Sequence, residues 1–340
     1  LGCAVGAMLT IAGHPLLALP AAMAAGMLSG FITAFLQTRL GVESILAGII
    51  SNTGLYTINL AVMGFSSNVS ITGRATVFSL FKALTGGSQW STLVLLALAL
   101  SGYGMREALR VPPVREVRMQ VPGLPDALNG FRIAQLSDLH IGPTFGKAWL
   151  TDVVARTDSL NPDLIVITGD VVDGSPSRLE EDVAPLADLK AKYGVIFAPG
   201  NHEYYSGIQQ WLPVFQRLGM HVLMNENTQI RVNGTPLAIA GVTDTAALNW
   251  GLEGPDPEKA LSGLSKDITK LMLSHRPSLA PESAKAGASL QLSGHTHGGL
   301  ILPVTPLIAA FNGGYVSGPY TVDGMPLYVS SGSGLWGGIP

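Results

Sequence analysis

Histidine, aspartate and asparagine recur where apolar runs end in the second half of this chain. The set, in chain order, comprises Asp138, His140, Asp170, Asn201, His202, His275, His295 and His297. It contains five of the seven histidines of the chain. Imidazole and carboxylate ligands without thiolate favour Mn²⁺, Fe²⁺/³⁺ or Zn²⁺ over Ca²⁺. If these side chains meet in space, they suit two adjacent divalent metal ions.

Each member of the set is a weak signal by itself. An aspartate after glycine, as at Asp170, more often caps a turn, and His275 alone fits an ordinary surface histidine. The sequence "SGHTHGG" is more specific, because residues two apart on an extended segment point the same way and bring His295 and His297 together. The ordered combination of all these elements leaves little room for coincidence.

Short apolar runs precede most of these polar residues. The runs are residues 131–136, 163–168, 194–199, 236–240, 268–273 and 289–292. Continuous runs of this length predict buried strands, and the amphipathic stretches 147–159, 178–193 and 209–218 predict helices. The pattern therefore predicts an α/β domain with a mixed sheet. Because ligands bind at the carboxyl ends of strands in open α/β sheets, we expect the polar residues to meet at one rim.

The ordered sequences "SDLHIG", "TGDVVDG", "GNHEYY", "LSHRP" and "SGHTHGG" resemble the calcineurin-like metallophosphoesterases, especially their bacterial, often membrane-attached branch. The resemblance covers about residues 114–340 and includes the closing text "LYVSSGSGLWG". It implies a four-layer α-β-β-α metallophosphoesterase sandwich with mixed sheets. It also implies a dinuclear phosphoric ester hydrolase, in which a water bridging two divalent metal ions attacks a phosphoester or pyrophosphate bond.

The resemblance also implies a role for each member of the set. One metal ion is held by Asp138, His140 and His297, and the other by Asn201, His275 and His295. Asp170 bridges the two ions, because one carboxylate has two oxygens to share. His202 is the histidine that is not a ligand, and in its protonated form it stabilises the phosphoryl oxygens or protonates the leaving group. The alternative role for His202 is a third imidazole ligand. The identity of the ions (Mn, Fe or Zn) stays open.

A few further residues flank these motifs. Asp173 and Asp244 either orient ligand histidines or cap turns. Tyr204, Tyr205 and Arg276 either contact substrate at the rim or are ordinary exposed side chains. The residue types alone do not decide between these roles.

Residues 1–104 have a different composition from the rest of the chain. Apart from His14, their only acids and bases are Arg39, Glu43, Arg74 and Lys82. Residues 14–36 and 45–65 are long enough to span a bilayer, whereas the apolar stretch 90–105 is shorter. These stretches predict an all-α transmembrane region over residues 1–105 that contacts membrane lipid.

The composition divides the remaining chain into two parts. Residues 106–130, rich in proline, predict a linker and an edge strand. Residues 131–340 form the predicted metallophosphoesterase domain, which we expect to be truncated at its carboxyl end because the family continues into a final strand. The count of Lys and Arg near the predicted spans places this domain on the cytoplasmic face of a bacterial inner membrane.

An alternative function follows from the text "ESILAGIISNTGLYTINLAVMG" and "SNVSI", which resembles membrane permease subunits of ABC-type importers over about residues 1–97. This resemblance implies a partner ATPase, since the chain has no GxxxxGK[ST] loop of its own. The chain would then be a permease fragment or a membrane scaffold that carries the phosphoesterase domain as a passenger. The fusion itself is either genuine or an assembly artefact.

Composition excludes some classes of partner and site. The net charge of −3 gives no basic field that would gather nucleic acid. The single cysteine, Cys3, excludes an intramolecular disulfide framework and a thiolate metal cluster. The expected partner is a phosphate-ester substrate, and membrane attachment favours a lipid-linked one.

Overall fold

The apolar runs that precede the polar motifs form strands. The computed structural model describes residues 1–38, 44–66, 69–84, 90–300 and 304–334. Its strands are β1 (Ile133–Leu136), β2 (Leu164–Thr168), β3 (Val195–Ala198), β4 (Met220–Val222), β5 (Glu226–Val232), β6 (Thr235–Gly241), β7 (Thr269–Leu273), β8 (Leu290–Ser293), β9 (Gly318–Val322) and β10 (Met325–Val329). All six predicted strands are present, as β1, β2, β3, β6, β7 and β8. The other four were not predicted.

The strands form two sheets. The first has the order β1-β2-β3-β4, and all its pairings are parallel. The second has the order β5-β6-β7-β8-β10-β9, in which the outermost pairs are antiparallel and the inner pairs are parallel. The prediction of mixed pairing therefore holds for the second sheet only. The first sheet is parallel because a helical crossover connects each of its consecutive strands.

Seven helices of the described chain follow residue 130. They are α6 (Lys147–Ser159), α7 (Pro176–Val183), α8 (Asn201–Tyr205), α9 (Ile208–Arg217), α10 (Pro257–Ala260), α11 (Ala280–Lys285) and α12 (Thr305–Phe311). The predicted crossover helix 178–193 is shorter than expected. Helix α7 ends at Val183 and a 3₁₀ helix continues over Ala184–Asp188, where Pro185 lacks the N–H that an α-helix would use.

Alternating side chains of the central strands build three apolar layers. On β2, Ile165 and Ile167 pack outward among residues of α6, α7 and α9. Leu164 and Val166 face the other way and pack against the second sheet. On the far side of the second sheet, Met272 packs with residues of α10 and α11. The domain is thus a four-layer α-β-β-α sandwich, as predicted.

The segment between the two regions is extended but contains no strand. Residues 111–130 hold only one short 3₁₀ helix, Asp126–Leu128. The predicted edge strand is therefore wrong. Four prolines in this stretch explain the difference, since each removes a backbone N–H from any sheet ladder.

The amino-terminal region is helical. Its helices are α1 (Gly2–Ile11), α2 (Pro15–Thr38), α3 (Ser44–Val62), α4 (Val77–Leu84) and α5 (Ser91–Ala108). The chain divides into two compact units, residues 1–103 and 104–340. In the part of the chain that the structure describes, one segment, Pro15–Leu36 of α2, is long and apolar enough to cross a membrane.

Two expectations concern residues outside the described ranges. The predicted membrane orientation depends in part on Arg39, and the predicted truncation concerns residues beyond 334. Both expectations stay predictions.

The packing of α9 gives a test of the core. Trp211 is fully buried, stacks on Phe215 with ring centroids 5.3 Å apart, and donates from Nε1 to the carbonyl of Gly174 at 2.9 Å. We expect Trp211→Ala to lower the free energy of unfolding by about 3–5 kcal/mol, because it removes this contact and leaves a cavity. Denaturant titration followed by circular dichroism measures the effect. The matched change at the 58% exposed Trp250, Trp250→Ala, should cost less than about 0.5 kcal/mol; equal losses would contradict the assignment of Trp211 to the core.

Candidate metal centre

The polar residues of the motifs lie at the carboxyl ends of strands from both sheets. Asp138 follows β1, Asp170 follows β2, and Asn201 begins α8 after β3. His275 and His295 follow β7 and β8 of the second sheet. The backbone N–H of His295 donates to Asp138 Oδ1 at 3.0 Å, so the two sheets meet at this edge.

The side chains form groups whose ligand atoms lie within 4.8 Å of one another. One group comprises Asp138, His140 and His297, another comprises Asp170, His275 and His295, and a third comprises His140, Asp170 and His202. Asp170 Oδ2 lies 3.0 Å from His275 Nε2 and 3.9 Å from His140 Nε2. The carboxylate of Asp170 therefore stands between the first two groups. The third group shows that His202 is also within reach of a metal ion, so the geometry admits both of its predicted roles.

Hydrogen bonds fix which imidazole nitrogens face the centre. His140 Nδ1 lies 2.9 Å from Asp173 Oδ1, and His275 Nδ1 lies 2.7 Å from the carbonyl oxygen of Thr168. Both partners are acceptors, so in each neutral imidazole the proton sits on Nδ1 and Nε2 presents a lone pair. The lone pair of His275 Nε2 then faces the carboxylate of Asp170. Such a pair is stable only with a cation, either a proton or a metal ion, between its members.

A buried amide oxygen gives independent support for metal binding. Asn201 is 6% exposed, and its Oδ1 has no hydrogen-bond partner in the described part of the chain. An unsatisfied buried acceptor costs about 1–3 kcal/mol, which a metal ion at this position would recover. Together with the inward-facing nitrogens, this oxygen makes the residues a good fit for two divalent ions.

The backbone at the candidate ligands is strained. Left-handed φ values occur at Asp138 (54°), His140 (47°), Asp170 (54°), His295 (73°) and His297 (46°). Each such residue costs about 1–3 kcal/mol, and such strain clusters at functional sites. Space is also limited, because a Cβ at Gly294 would lie 2.3 Å from Asp138 Oδ2. The loop conformations therefore bring the candidate ligands together at the expense of local backbone stability.

Burial and neighbouring charges oppose each other in the pKa values of the centre. Burial raises the pKa of Asp170, but the charge and hydrogen bond of His275 outweigh it and hold the pKa well below its usual range. Burial lowers the pKa of His275, whereas Asp170 raises it to about 10. Burial raises the pKa of Asp173, but hydrogen bonds from His140 and His202 bring it down to about 2. Both aspartates are therefore ionised at neutral pH.

Asp173 holds two histidines at once. Its Oδ1 accepts from His140, as described, and lies 2.6 Å from His202 Nδ1. Burial lowers the pKa of His202, but the hydrogen bond with Asp173 and the charge of Asp170 more than offset this and raise the pKa. The side chain of His202 is 17% exposed, against 1% for His140. His202 is therefore both readily protonated and accessible from solvent.

Asp244 reaches a candidate ligand through Arg276 rather than directly. Its buried carboxylate lies 2.9 Å from Arg276 Nε, and Arg276 Nη1 lies 3.0 Å from His295 Nε2. This contact occupies Nε2, so Nδ1, which lies 3.2 Å from His275 Nε2, is the nitrogen of His295 that would face a metal ion. Burial, together with the charges of His275 and Arg276, lowers the pKa of His295 to about 2. Asp244 and Arg276 thus orient His295 as a pair.

The two tyrosines that follow His202 have different environments. Tyr204 is 1% exposed and packs in a cluster with Ile208 and Ala246. It therefore belongs to the core, and this placement does not support the predicted contact with substrate. Tyr205 is 55% exposed, and its ring centroid lies 5.4 Å from that of His202. Of the two tyrosines, Tyr205 is the one at the rim.

Glu203 is a residue of the centre that the motif analysis did not identify. Its buried carboxylate accepts the backbone N–H groups of Asp170 (2.9 Å), Val171 (2.7 Å) and Gly200 (2.7 Å). Burial and the charge of Asp170 raise its pKa to about 7, against the effect of these three hydrogen bonds. The sequence does hold a signal, since an acidic residue three positions after the N-cap Gly200 is typical of a capping box. Glu203 joins the loops that follow β2 and β3.

The Glu203 contacts generate a prediction. Glu203→Gln keeps the size of the side chain but sets an amide N–H against backbone N–H donors, so the loop that carries Asp170 should loosen. We expect Mn²⁺ binding to weaken by at least about tenfold, measured by isothermal titration calorimetry, and the amides of Asp170 and Val171 to exchange hydrogen faster. Glu258→Gln, at an exposed position on α10, is the control. Unchanged Mn²⁺ affinity in Glu203→Gln would show that this carboxylate does not position the centre.

The part of the chain that carries the candidate ligands is similar to known proteins. The sequence profile of the family described as calcineurin-like phosphoesterase matches residues 131–299. The uncharacterized metallophosphoesterase YkuE of Bacillus subtilis is 32% identical over 271 residues, which are 77% of this chain and 90% of that protein. The Danio rerio "transmembrane protein with metallophosphoesterase domain" is 36% identical over 75% of this chain.

The matches cover only part of several of these proteins. This chain covers 61% of the Danio rerio relative and 62% of the protein with the same name in Bos taurus, in both cases less than two thirds of their length. Among solved structures, the 5′-nucleotidase precursor of Thermus thermophilus aligns over 60% of this chain and 49% of that chain, with 18% identity and a TM-score of 0.41.

Proposed function

Because this chain belongs to the calcineurin-like phosphoesterase family, we propose that it hydrolyses a phosphoester or pyrophosphate bond at the edge where its two sheets meet. The observation that carries the proposal is the position of Asp170 between two groups of metal-ligating side chains. One divalent ion would be held by Asp138, His140 and His297, and a second by Asn201, His275 and His295, with Asp170 between them. Such ions, when bound, stabilise charge on phosphoryl oxygens and lower the pKa of water.

His202 fits the role of the acid in this reaction. In hydrolysis, the bond from phosphorus to the leaving-group oxygen breaks, the oxygen of water bonds to phosphorus, and the leaving-group oxygen needs a proton. Asp173 holds Nδ1 of His202, so the proton for transfer is the one on Nε2. The raised pKa of His202 favours the protonated form that this role requires.

The substrate and location are proposed from the membrane features. The span-length segment of α2 and the names of the vertebrate relatives support membrane association of this chain. We extend the proposal to a lipid-linked phosphate ester or pyrophosphate, cleaved at the cytoplasmic face of a bacterial inner membrane. The permease alternative, with its ATPase partner, gains no support from the relatives or from the described helices, and we do not propose it.

Removal of the bridging charge is the most direct test of the proposed reaction. Asp170→Asn should lower kcat/KM for p-nitrophenyl phosphate, with Mn²⁺ present, by at least about 100-fold, because each 1.4 kcal/mol is tenfold and metal ions supply several kcal/mol. The exposed Asp152 on α6 provides a matched control, and Asp152→Asn should retain full activity. Full activity of Asp170→Asn against this ester and against a diester would refute the proposal.

A second test separates the two roles of His202. If His202 is the acid, His202→Gln should lower kcat for an alkyl phosphate by about 10²–10⁴-fold. The loss should be much smaller for p-nitrophenyl phosphate, because its leaving group needs no proton. The bound Mn²⁺, measured by atomic emission, should stay unchanged. Loss of Mn²⁺ from this variant would instead make His202 a ligand.

A further inference from the structure

A long stretch around two of the site histidines carries no charge. Residues 286–322 contain no Asp, Glu, Lys or Arg. They include β8, His295, His297 and α12. A soluble surface is normally about 25–35% charged, so a stretch of this kind is expected to be buried or to contact an apolar phase.

Helix α12 within this stretch is not buried. None of its residues is buried, and Leu307 and Phe311 are 56% and 76% exposed. Residues four apart lie on the same face of a helix, so these two side chains form one apolar face, with the exposed Ala310 beside them. Exposed apolar side chains that group together mark interaction sites more often than isolated ones do.

Three more large apolar side chains are exposed at the same edge of the sheets. Tyr205 follows β3, and Leu248 (63% exposed) and Trp250 (58% exposed) lie in the 3₁₀ helix after β6. We call Tyr205, Leu248, Trp250, Leu307 and Phe311 the apolar rim. Tyr205, Leu248 and Trp250 lie in the segments that follow β3 and β6, whereas Leu307 and Phe311 lie in α12, which contacts the loop after β8. The other exposed large apolar side chains of the described residues from 104 onward lie within residues 105–117.

Helix α12 and the segment after it are hydrogen-bonded to the loop that carries the two site histidines. Thr305, the first residue of α12, donates from Oγ1 to the carbonyl of Gly299 at 3.1 Å. Thr296, between the two site histidines, donates from Oγ1 to the carbonyl of Val316. Helix α12 therefore packs against the loop that carries His297. A solvent or lipid phase in contact with this helix would lie beside the candidate metal centre.

We propose that the apolar rim docks on the surface of a lipid bilayer, with its side chains at the boundary between head groups and acyl chains. Binding at this boundary strengthens with the apolar area that is buried there, and tyrosine and tryptophan favour it. Because α12 lies within the charge-free residues 286–322, its contact with the bilayer requires no desolvation of a charged side chain of that stretch. A bilayer is also the apolar phase that a membrane-associated chain meets.

Docking in this way would hold the metal centre at the level of the lipid head groups. The phosphate of a lipid-linked substrate lies at that level, so its acyl chains would not have to leave the bilayer. This consequence rests on the proposed function, whereas the docking itself does not. The two can therefore fail independently.

A fluorescent probe on α12 tests the docking in the full chain. Cys3→Ser removes the only native cysteine, and Phe311→Cys then accepts an environment-sensitive nitrobenzoxadiazole label. The protein is reconstituted into vesicles of phosphatidylethanolamine and phosphatidylglycerol. We expect a blue-shifted emission that is lost when phosphatidylcholine spin-labelled on its acyl chain is included. The control Ser159→Cys is exposed before β2, at the opposite edge of the first sheet, and should show neither effect.

Each other outcome overturns the docking. A blue shift without quenching by the spin-labelled lipid would mean that protein, from this chain or a second copy, covers α12. Emission equal to that of the Ser159→Cys control would mean that water covers it. In a second measurement, Leu307→Glu combined with Phe311→Glu should leave hydrolysis of p-nitrophenyl phosphate unchanged and abolish the lipid-dependent quenching of a probe at Trp250→Cys.

Discussion

The buried carboxylate of Asp170 is the group around which both halves of the domain are arranged. Its Oδ1 accepts the backbone N–H of His202 at 2.8 Å, and its Oδ2 faces His275 at 3.0 Å from the opposite sheet. Its own backbone N–H is held by Glu203. An ionised group at 2% exposure is tolerated only where such partners compensate for the lost water. Because the partners come from β3, β7 and their loops, the centre exists only when the two sheets are packed together.

Apolar packing in the rest of the domain compensates for the free energy that the strained, charged loops lose. Candidate ligands with left-handed backbone and buried charge weaken the loops locally, and the three apolar layers of the sandwich offset this. The loop after β1 is also held from the far end of the chain. Ser333 N–H donates to the carbonyl of Ser137 at 2.7 Å, and Gly334 N–H donates to that of Asp138 at 2.8 Å. These contacts explain why the text "SSGSG" belongs with the metal-binding motifs.

Charged residues are distributed unevenly along the chain, and two long stretches lack them almost entirely. Residues 1–104 are almost free of charge and include the span-length helix α2. Residues 286–322 are free of charge as well, but those that the structure describes belong to the sandwich and carry part of its candidate metal centre. The second stretch therefore cannot be explained as a membrane span. Part of it, including Gln291, Leu292 and Ser293 of β8, is buried in the sandwich, and the exposed helix α12 is the part to which the proposed docking applies.

The sequence by itself determined the types of the candidate ligands, their order and their position after strands, because these depend on residues close together along the chain. The α-β-β-α architecture followed from the resemblance that those motifs carry. Only the tertiary structure decided that Tyr204 is buried while Tyr205 is exposed, and that Glu203 joins two loops. It also showed that the first sheet is purely parallel and that residues 111–130 form no strand. The missing strand follows from the local prolines. The other features depend on contacts between residues far apart in the chain, which local apolar patterns do not encode.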